Sequence, residues 1–449
     1  MRGSGVILGD WTHRRGDAGG TRSIFADVAK AHPEPAWSWS PEHQGRVDQV
    51  RIAGALVFVA TMTPSDPEAP GWEHAVIYAL KADTGEVVAR RTLPDPVPVA
   101  AMLVDAGALH VIATRRDEPI FWYSLNTTGL LPNFRSMVDI DRDARREDVL
   151  DAWASPDGGV WLELEGALGS ASGRAFTFVA PGNHLALTQT HEDDVVGSDW
   201  GAPARDACVS GHVLFAPLAG AWRGDGWGDP PALWKVEPKV AAASPQEGEG
   251  RPAPARTAWA RTDVAGPRAH VHAMAGEGLI HALAIAQDFE RTDRALVQAL
   301  SVDRATEVVR TRTPVMRVAL KGPLGEGARV ARRSNGELLM QGMQPDGDPC
   351  SDLICARPDG EMGAISIGNG RRLLLDAALG DVVLAHGEVK GGRIAVTALE
   401  IDREGRLLGR RSVPRWAVET EDLGGDATIY AGAGHIVVRG VNGIVAIKV

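Results

Sequence analysis

Three histidines in the sequence have a spacing that could bind a metal ion. His270 and His272 lie two residues apart, so on a β-strand their side chains share one face. If the chain turns at Gly276-Glu277, His272 pairs with His281 across the hairpin and the imidazoles cluster, an arrangement suited to zinc or nickel. No fourth ligand is identifiable, and His110 follows a glycine by three residues as His281 does. Two interpretations stay open, a metal site and histidines packed within a sheet.

Four tryptophans in the middle of the chain could form a contact patch for a partner. They are Trp200, Trp222, Trp227 and Trp234. Tryptophans in loops are enriched at binding hot spots, although these indoles could instead pack over a sheet. A segment rich in Pro, Gly, Ala and Glu follows at about 238–256, and its composition predicts a flexible loop.

A short pattern that recurs eight times indicates the fold that must position these residues. It consists of a glycine, any residue, a large apolar residue and then an apolar or alternating run. The eight copies begin at Gly54, Gly107, Gly159, Gly211, Gly278, Gly336, Gly380 and Gly434. An apolar run also precedes each glycine, so each copy predicts a β-hairpin whose tight turn uses the positive φ that glycine allows.

The spacing of these hairpins predicts a β-propeller. Successive glycines lie 44 to 67 residues apart, close to the roughly 40–50 residues of a four-stranded blade with its loops. We therefore expect an all-β fold, an eight-bladed β-propeller of four-stranded antiparallel blades. Seven blades are the alternative, because Glu163 and Glu165 interrupt the apolar run after Gly159 and make that copy the weakest.

A second signature carries a family resemblance. Ile77–Val88 consists of a strand, an Asp-Thr-Gly turn and another strand, and its Tyr-Ala-Leu-x-Ala-x-Thr-Gly-Glu-Val core resembles the repeat of quinoprotein-dehydrogenase-like (PQQ-like repeat) propellers. The resemblance covers roughly residues 34–449. Ala89 stands where that family usually has the tryptophan that docks one blade on the next, and the vicinal cysteine pair of the enzymes is absent. We therefore expect no quinone cofactor, and blades that dock on other side chains.

The two ends of the chain predict how the ring closes. Gly443–Val449 matches a third strand with no fourth strand after it, and Pro35–Ser40 matches a fourth strand with no blade before it. An N-terminal strand that completes the last blade would leave few exposed sheet edges. This gives an N-terminal arm at 1–33 and a single propeller domain at 34–449. Within the arm, Ser23–Lys30 is expected to form one or two helical turns, and the arm could pack on the ring or dock a partner.

Aspartates on the predicted inner strands are candidates for a channel ion. Propeller lactonases hold calcium in the central channel with carboxylate and amide ligands, which suit this cation. The corresponding residues are Asp48, Asp151, Asp206, Asp376 and Asp426. They precede their glycines at different distances, so the alternative interpretation is a polar channel lining.

Composition limits the partners and the location. The net charge of −11 argues against nucleic acid as a partner. No run of 18 apolar residues is present, so no membrane-spanning helix is expected. Cys208, Cys350 and Cys355 are an odd number of cysteines without metal-ligand spacing, and residues 1–10 have neither the apolar core of a signal peptide nor a lipoprotein cysteine. These features favour the cytoplasm.

We therefore expect a non-catalytic protein-interaction or scaffold propeller in a bacterial multi-protein system, a monomeric ring with another protein as its partner. No Gly-x-Ser-x-Gly elbow or phosphate-binding loop is present, and no catalytic residue or cofactor is assigned. Two alternatives stay open. One is a metal-dependent hydrolase or lactonase-like enzyme with an ion in the channel, and the other is an exported envelope assembly factor.

Overall fold

The structure of the protein is a computed structural model, and parts of the chain lie outside its described residues. The described residues are all of 1–449 except 1–5, 9, 14–15, 17–21, 28–32, 43–44, 65–72, 115–118, 139–148, 157, 166–173, 180–186, 190–207, 211–212, 219–231, 237–255, 267–268, 277, 321–322, 326–327, 334, 358–359, 368–371, 381, 390–392, 402–412 and 425–426. Trp200, Trp222, Trp227, Asp206 and Asp426 therefore lie outside them, as does most of the predicted flexible loop.

The described chain folds into β-strands. In chain order the first strands are β1 (Val6–Leu8), β2 (Ser23–Asp27), β3 (Glu34–Trp39), β4 (Arg46–Ala53), β5 (Leu56–Pro64), β6 (Glu73–Lys81), β7 (Val87–Thr92), β8 (Val99–Asp105), β9 (Ala108–Ala113), β10 (Ile120–Asn126), β11 (Pro132–Val138), β12 (Val149–Ala154), β13 (Val160–Glu165), β14 (Arg174–Val179), β15 (Leu187–Gln189), β16 (Cys208–Ser210), β17 (Val213–Leu218), β18 (Ala232–Val236) and β19 (Arg256–Arg261).

The later strands are β20 (His270–Ala275), β21 (Leu279–Gln287), β22 (Arg294–Asp303), β23 (Val309–Arg312), β24 (Met316–Ala319), β25 (Ala328–Arg332), β26 (Leu338–Gly342), β27 (Asp352–Ala356), β28 (Met362–Ser366), β29 (Leu374–Leu379), β30 (Val382–Glu388), β31 (Arg393–Glu400), β32 (Val413–Asp422), β33 (Thr428–Gly432), β34 (His435–Arg439) and β35 (Ile444–Lys448). No helix within the described ranges is long and apolar enough to cross a membrane.

The strands of the described residues form eight sheets, which we number in chain order. Sheets 1 to 4 consist of β4–β7, β8–β11, β12–β15 and β16–β19. Sheet 5 is β20–β23 with β24 also paired to β22, and sheet 6 is β25–β28. Sheet 7 is β29–β32 extended by β2 and β1, and sheet 8 is β33–β35 with β3. Each of the eight glycine hairpins joins the first two strands of a different sheet.

The sheets are arranged as in a β-propeller, and that prediction is confirmed. First strands of neighbouring sheets contact each other, as β4 contacts β8 and β8 contacts β12, and β33 of sheet 8 contacts β4 of sheet 1. β3 pairs with β35, which is the pairing predicted from the chain ends. Since sheets 3 and 4 are described only in part, the count of eight blades and the closure of the ring stay predictions, which these sheets favour.

The apolar runs that follow the glycines are buried on both faces. In β5, the consecutive residues Val57, Phe58, Val59 and Ala60 are all inaccessible to solvent, because a neighbouring sheet covers each side. The fourth strands differ, since β7 alternates exposed and half-buried residues at the outer edge. The core therefore lies between the sheets, and the solvent-facing edge of each sheet is its last strand.

A tryptophan docks sheet 8 on sheet 1, although position 89, where the resembled family usually has its docking tryptophan, is an alanine. The Trp37 indole lies over the turn between β6 and β7, where its Nε1 donates to the Ala82 carbonyl at 2.8 Å. A Cβ added at Gly85 would lie only 2.6 Å from the ring. The sequence predicts no docking tryptophan after the Thr-Gly turn of sheet 1. Trp37 of β3 nevertheless makes a docking contact there, because its indole packs on that turn.

We expect Gly85→Ala to destabilise the protein about 2 kcal/mol more than Gly54→Ala. Both glycines have positive φ, +71° and +57°, so both substitutions add the backbone strain of about 1–2 kcal/mol. Only at Gly85 would the methyl group also overpack against Trp37, at a further cost of about 1–3 kcal/mol. Urea unfolding of the two variants measures the difference, and equal losses would show that the indole does not hold this joint.

Buried amides dock other sheets. Gln341 of β26 has no exposed surface, and its Nε2 donates to the carbonyls of Cys350 and Leu373, each at 2.7 Å. Its Oε1 accepts the Leu375 amide at 2.7 Å. Gln287 of β21 in turn accepts the Leu324 amide at 2.6 Å on the segment that leads to sheet 6. These glutamines bind the backbone of the following sheet or of the segment that leads to it. This agrees with the expectation that the blades dock on side chains other than the tryptophan of the resembled family.

Candidate functional site

The predicted histidine cluster depends on a hairpin register that the structure corrects. His270 pairs with Ile285, His272 with Leu283 and His281 with Met274, so His272 does not face His281 directly. The turn lies one residue later than predicted because Gly278 takes the positive φ of +68° and the Gly276 amide donates to the Leu279 carbonyl. The predicted pairing of His272 with His281 is therefore wrong.

The described histidines of this sheet are held within the protein. His281 is 7% exposed, its Nδ1 lies 2.8 Å from the Ser301 hydroxyl, and burial, with a smaller effect of Arg332, lowers its pKa to about 4. His272 is also buried. Among the described residues, no group of three or more His, Cys, Asp or Glu side chains could hold a metal ion. The His270 side chain is not among the side chains that the structure describes, so the three-histidine site stays a prediction.

The tryptophan patch also stays a prediction. Trp234 lies in β18, where its backbone pairs with Ala216 and Ala258. The other three tryptophans of the patch lie outside the described residues.

The inner-strand aspartates that the structure describes lie in different sheets and have different partners. Asp151 is buried, and its carboxylate accepts the Ala152 amide at 2.9 Å. Asp376, 1% exposed, is paired with Arg329 at 3.0 Å and with His386 at 2.6 Å. Asp48 lies at a bulge of β4 in sheet 1. The arrangement of these three does not add support to the channel-ion prediction.

The N-terminal arm runs along the inner strands, which the sequence did not predict. Where helical turns were expected from Ser23, the chain forms β2, which pairs in parallel with β29, so that expectation is wrong. The difference arises because the backbone N–H and C=O groups at the edge of β29 need hydrogen-bond partners, and a strand supplies them. The Ala378 amide, for example, donates to the Arg22 carbonyl at 2.8 Å.

Residues 11–13 of the arm reach three further sheets. The amides of Ile52 in β4 and Val104 in β8 donate to the carbonyls of Trp11 and Thr12, at 2.9 and 3.0 Å. The Ala154 amide of β12 donates to Nε2 of His13 at 3.4 Å. Since these amides belong to first strands, which would line the channel of the predicted closed ring, residues 11–13 lie at one mouth of that predicted channel.

The arm also brings buried aromatic and imidazole groups to this mouth. Trp11 is 1% exposed and meets Tyr430 edge to face, with ring centroids 6.0 Å apart. Burial lowers the pKa of His13 to about 3, and the Arg51 guanidinium and His110 add to the effect. His13 is therefore uncharged at neutral pH.

A cleft opens beside the arm on one face of the disk. Adjacent strands run antiparallel, so the turns between first and second strands and between third and fourth strands lie on the same side, which we call the hairpin face. The cleft has a volume of about 710 Å³ and lies between sheets 1 and 2. It is lined by the turns at Gly54, Gly107 and Thr127 and by Asp10, Thr12 and His13 of the arm.

Exposed apolar side chains follow the turns of the hairpin face. Val87 in sheet 1 and Leu131 in sheet 2 are 43% and 61% exposed. Val308 and Val309 take similar places after the β22–β23 turn of sheet 5. Phe289, 65% exposed, lies on the opposite face in the β21–β22 turn. Apolar side chains at the start of a fourth strand are thus a recurring feature of the hairpin face.

Solved structures with the same fold include a bacterial protein and an enzyme. BamB from Moraxella catarrhalis aligns with a TM-score of 0.52 and 12% identity over 92% of this chain and 99% of that chain. Quinohemoprotein alcohol dehydrogenase from Comamonas testosteroni aligns with a TM-score of 0.53 and 11% identity over 98% of this chain and 80% of that chain. No protein-family model matches the chain, and no curated protein matches it by sequence. The chain therefore has the PQQ-like β-propeller fold. At sequence identities of 11–12%, the similarity shows the fold alone.

Proposed function

We propose that the protein is a non-catalytic interaction scaffold that binds another protein through its hairpin face, within a bacterial multi-protein system. The observation that carries the proposal is that the hairpin face holds both the cleft between sheets 1 and 2 and the exposed apolar side chains of Val87 and Leu131. Apolar side chains that the fold leaves in water, on the same face as a concave surface, are typical of a protein interface.

Leu131→Ala should weaken binding of the partner about tenfold or more. A leucine side chain buried at an interface contributes about 1.5–3 kcal/mol, and 1.4 kcal/mol is a factor of ten in Kd. A photo-crosslinking amino acid placed at residue 131 first captures the partner in the native host. The purified partner is then titrated against the variant by calorimetry.

The matched control is Phe289→Ala, an exposed apolar residue on the opposite face. Both substitutions should leave stability within about 0.5 kcal/mol, because both sites are solvent-exposed. If Phe289→Ala weakens binding as much as Leu131→Ala, or if residue 131 crosslinks to no protein, the hairpin face is not the interface.

We propose the cytoplasm as the location of this scaffold. Cys208, Cys350 and Cys355 are buried and form no disulfide, and cysteines stay reduced where the compartment is reducing. Fractionation of host cells that express the tagged gene decides between this location and the envelope, where an exported assembly factor would be found.

A further inference from the structure

The described lining of the cleft on the hairpin face includes two carboxylates. Asp10 and Asp105 line it from the arm and from the end of β8, and no Lys or Arg is among the described residues of its lining. One oxygen of Asp10 accepts the Gly54 amide at 2.9 Å, so the carboxylate is fixed in place. Two negative groups therefore share one concave surface.

Asp105 is a shielded carboxylate that lines the cleft and accepts a backbone amide. It is half-buried, its carboxylate accepts the amide of Ala106, and burial raises its pKa. Several other shielded carboxylates are paired with arginine, as in Asp95–Arg135, Asp288–Arg317, Glu337–Arg333 and Asp376–Arg329, whereas the buried Asp151 accepts a backbone amide as Asp105 does. A shielded carboxylate is stabilised by an opposite charge. Asp105 is thus a carboxylate whose counterpart is missing from the described chain.

The remaining lining suits a cation with hydrogen-bond donors. The Thr127 hydroxyl donates to the Gly107 carbonyl at 3.0 Å, so its lone pairs stay available as acceptors. His13 is uncharged and does not repel a cation. Arg51, which acts on His13 electrostatically, does not line the cleft.

We propose that this cleft binds a lysine or arginine side chain of the protein partner, with Asp105 and Asp10 as its counter-charges. This rests on the proposed function and names the chemistry of the partner. The volume of about 710 Å³ is large enough to admit a side chain and lies within the range of about 300–1,000 Å³ for ligand pockets. It does not suit a bare Ca²⁺ ion, which takes about 6–8 oxygen ligands at close range.

The test uses three blocked tripeptides and the full chain. Acetyl-Gly-Arg-Gly-amide and acetyl-Gly-Lys-Gly-amide should bind at least tenfold more tightly than acetyl-Gly-Gln-Gly-amide, as measured by ligand-observed NMR. Asp105→Asn should weaken the arginine peptide about tenfold, as expected when one charge-assisted hydrogen bond becomes neutral. Asp10→Asn is the second variant, because asparagine keeps the oxygen that accepts the Gly54 amide and removes only the charge.

Asp83→Asn is the matched control, since Asp83 is exposed in the β6–β7 turn of the same face and does not line the cleft. Its binding should equal that of the unmodified protein. Equal binding of the glutamine peptide, no binding of either basic peptide, or displacement of a peptide by 1:1 binding of Ca²⁺ would each overturn the proposal. A partner that crosslinks at residue 131 but is insensitive to Asp105→Asn would refute this inference alone. A basic peptide bound without any crosslinked partner would refute the scaffold proposal alone.

Discussion

Gln341→Met should lower the free energy of unfolding by about 3 kcal/mol or more, although methionine matches glutamine in length and adds no charge. The substitution removes both donated bonds and the accepted bond of the amide. The carbonyls of Cys350 and Leu373 and the amide of Leu375 would lose this partner in a water-free site, at about 1–3 kcal/mol for each unsatisfied group. Because the bonds join sheet 6 to sheet 7, the loss should loosen one joint of the propeller.

Gln344→Met is the control for this prediction. Gln344 is half-buried, and its side chain makes a single long hydrogen bond to the Pro349 carbonyl, at 3.3 Å. The control should change stability by less than about 1 kcal/mol. Urea unfolding followed by circular dichroism compares the two variants, and a loss of similar size in both would mean that Gln341 does not dock the sheets.

Trp11→Ala should cost about 3–5 kcal/mol, the range for truncating a buried tryptophan or phenylalanine. The indole is 1% exposed, packs against Tyr430 of sheet 8, and belongs to the same buried cluster as Ile52 of sheet 1. Truncation would leave a cavity where the arm meets two sheets. Deletion of residues 1–27 should destabilise at least as much, since it also removes the backbone bonds of the arm to β4, β8 and β29.

Phe289→Ala is the control for the aromatic truncation, because that ring is 65% exposed. It should change the midpoint of thermal unfolding little, whereas Trp11→Ala should lower it clearly. Equal midpoints for the two variants would show that the arm contributes nothing to the stability of the ring.

The repeated hairpins could be predicted because their signals are local. A glycine such as Gly54 or Gly434 with positive φ, between apolar runs, specifies a tight turn and two strands within about 15 residues. The register at His272 failed for an equally local reason. The repeat places the positive φ at Gly278, whereas the pairing of His272 with His281 assumes a turn at the nearby Gly276-Glu277.

The site was harder to predict because its parts are distant in sequence. Ser23–Lys30 has too few residues to separate helical from strand periodicity, and the free edge of β29 decides the outcome. Asp10 and Asp105 meet at one cleft only after the arm has docked beside sheets 1 and 2. Gln341 and Trp37 dock blades through contacts with turns and strands that no repeat pattern identifies.

The pairing of β3 with β35 has a consequence for the order of synthesis. Glu34 pairs with Lys448, and at a typical rate of about 5–20 residues per second the ribosome completes Lys448 roughly 20–80 s after Glu34. During that time the Trp37 and Trp39 strand lacks its partner, and β2 lacks β29. Sheets 1 to 6 can form as they emerge, whereas sheet 8 must wait. Long-range pairing of this kind slows folding, so we expect newly made chains to pass through an open ring with a free N-terminal segment.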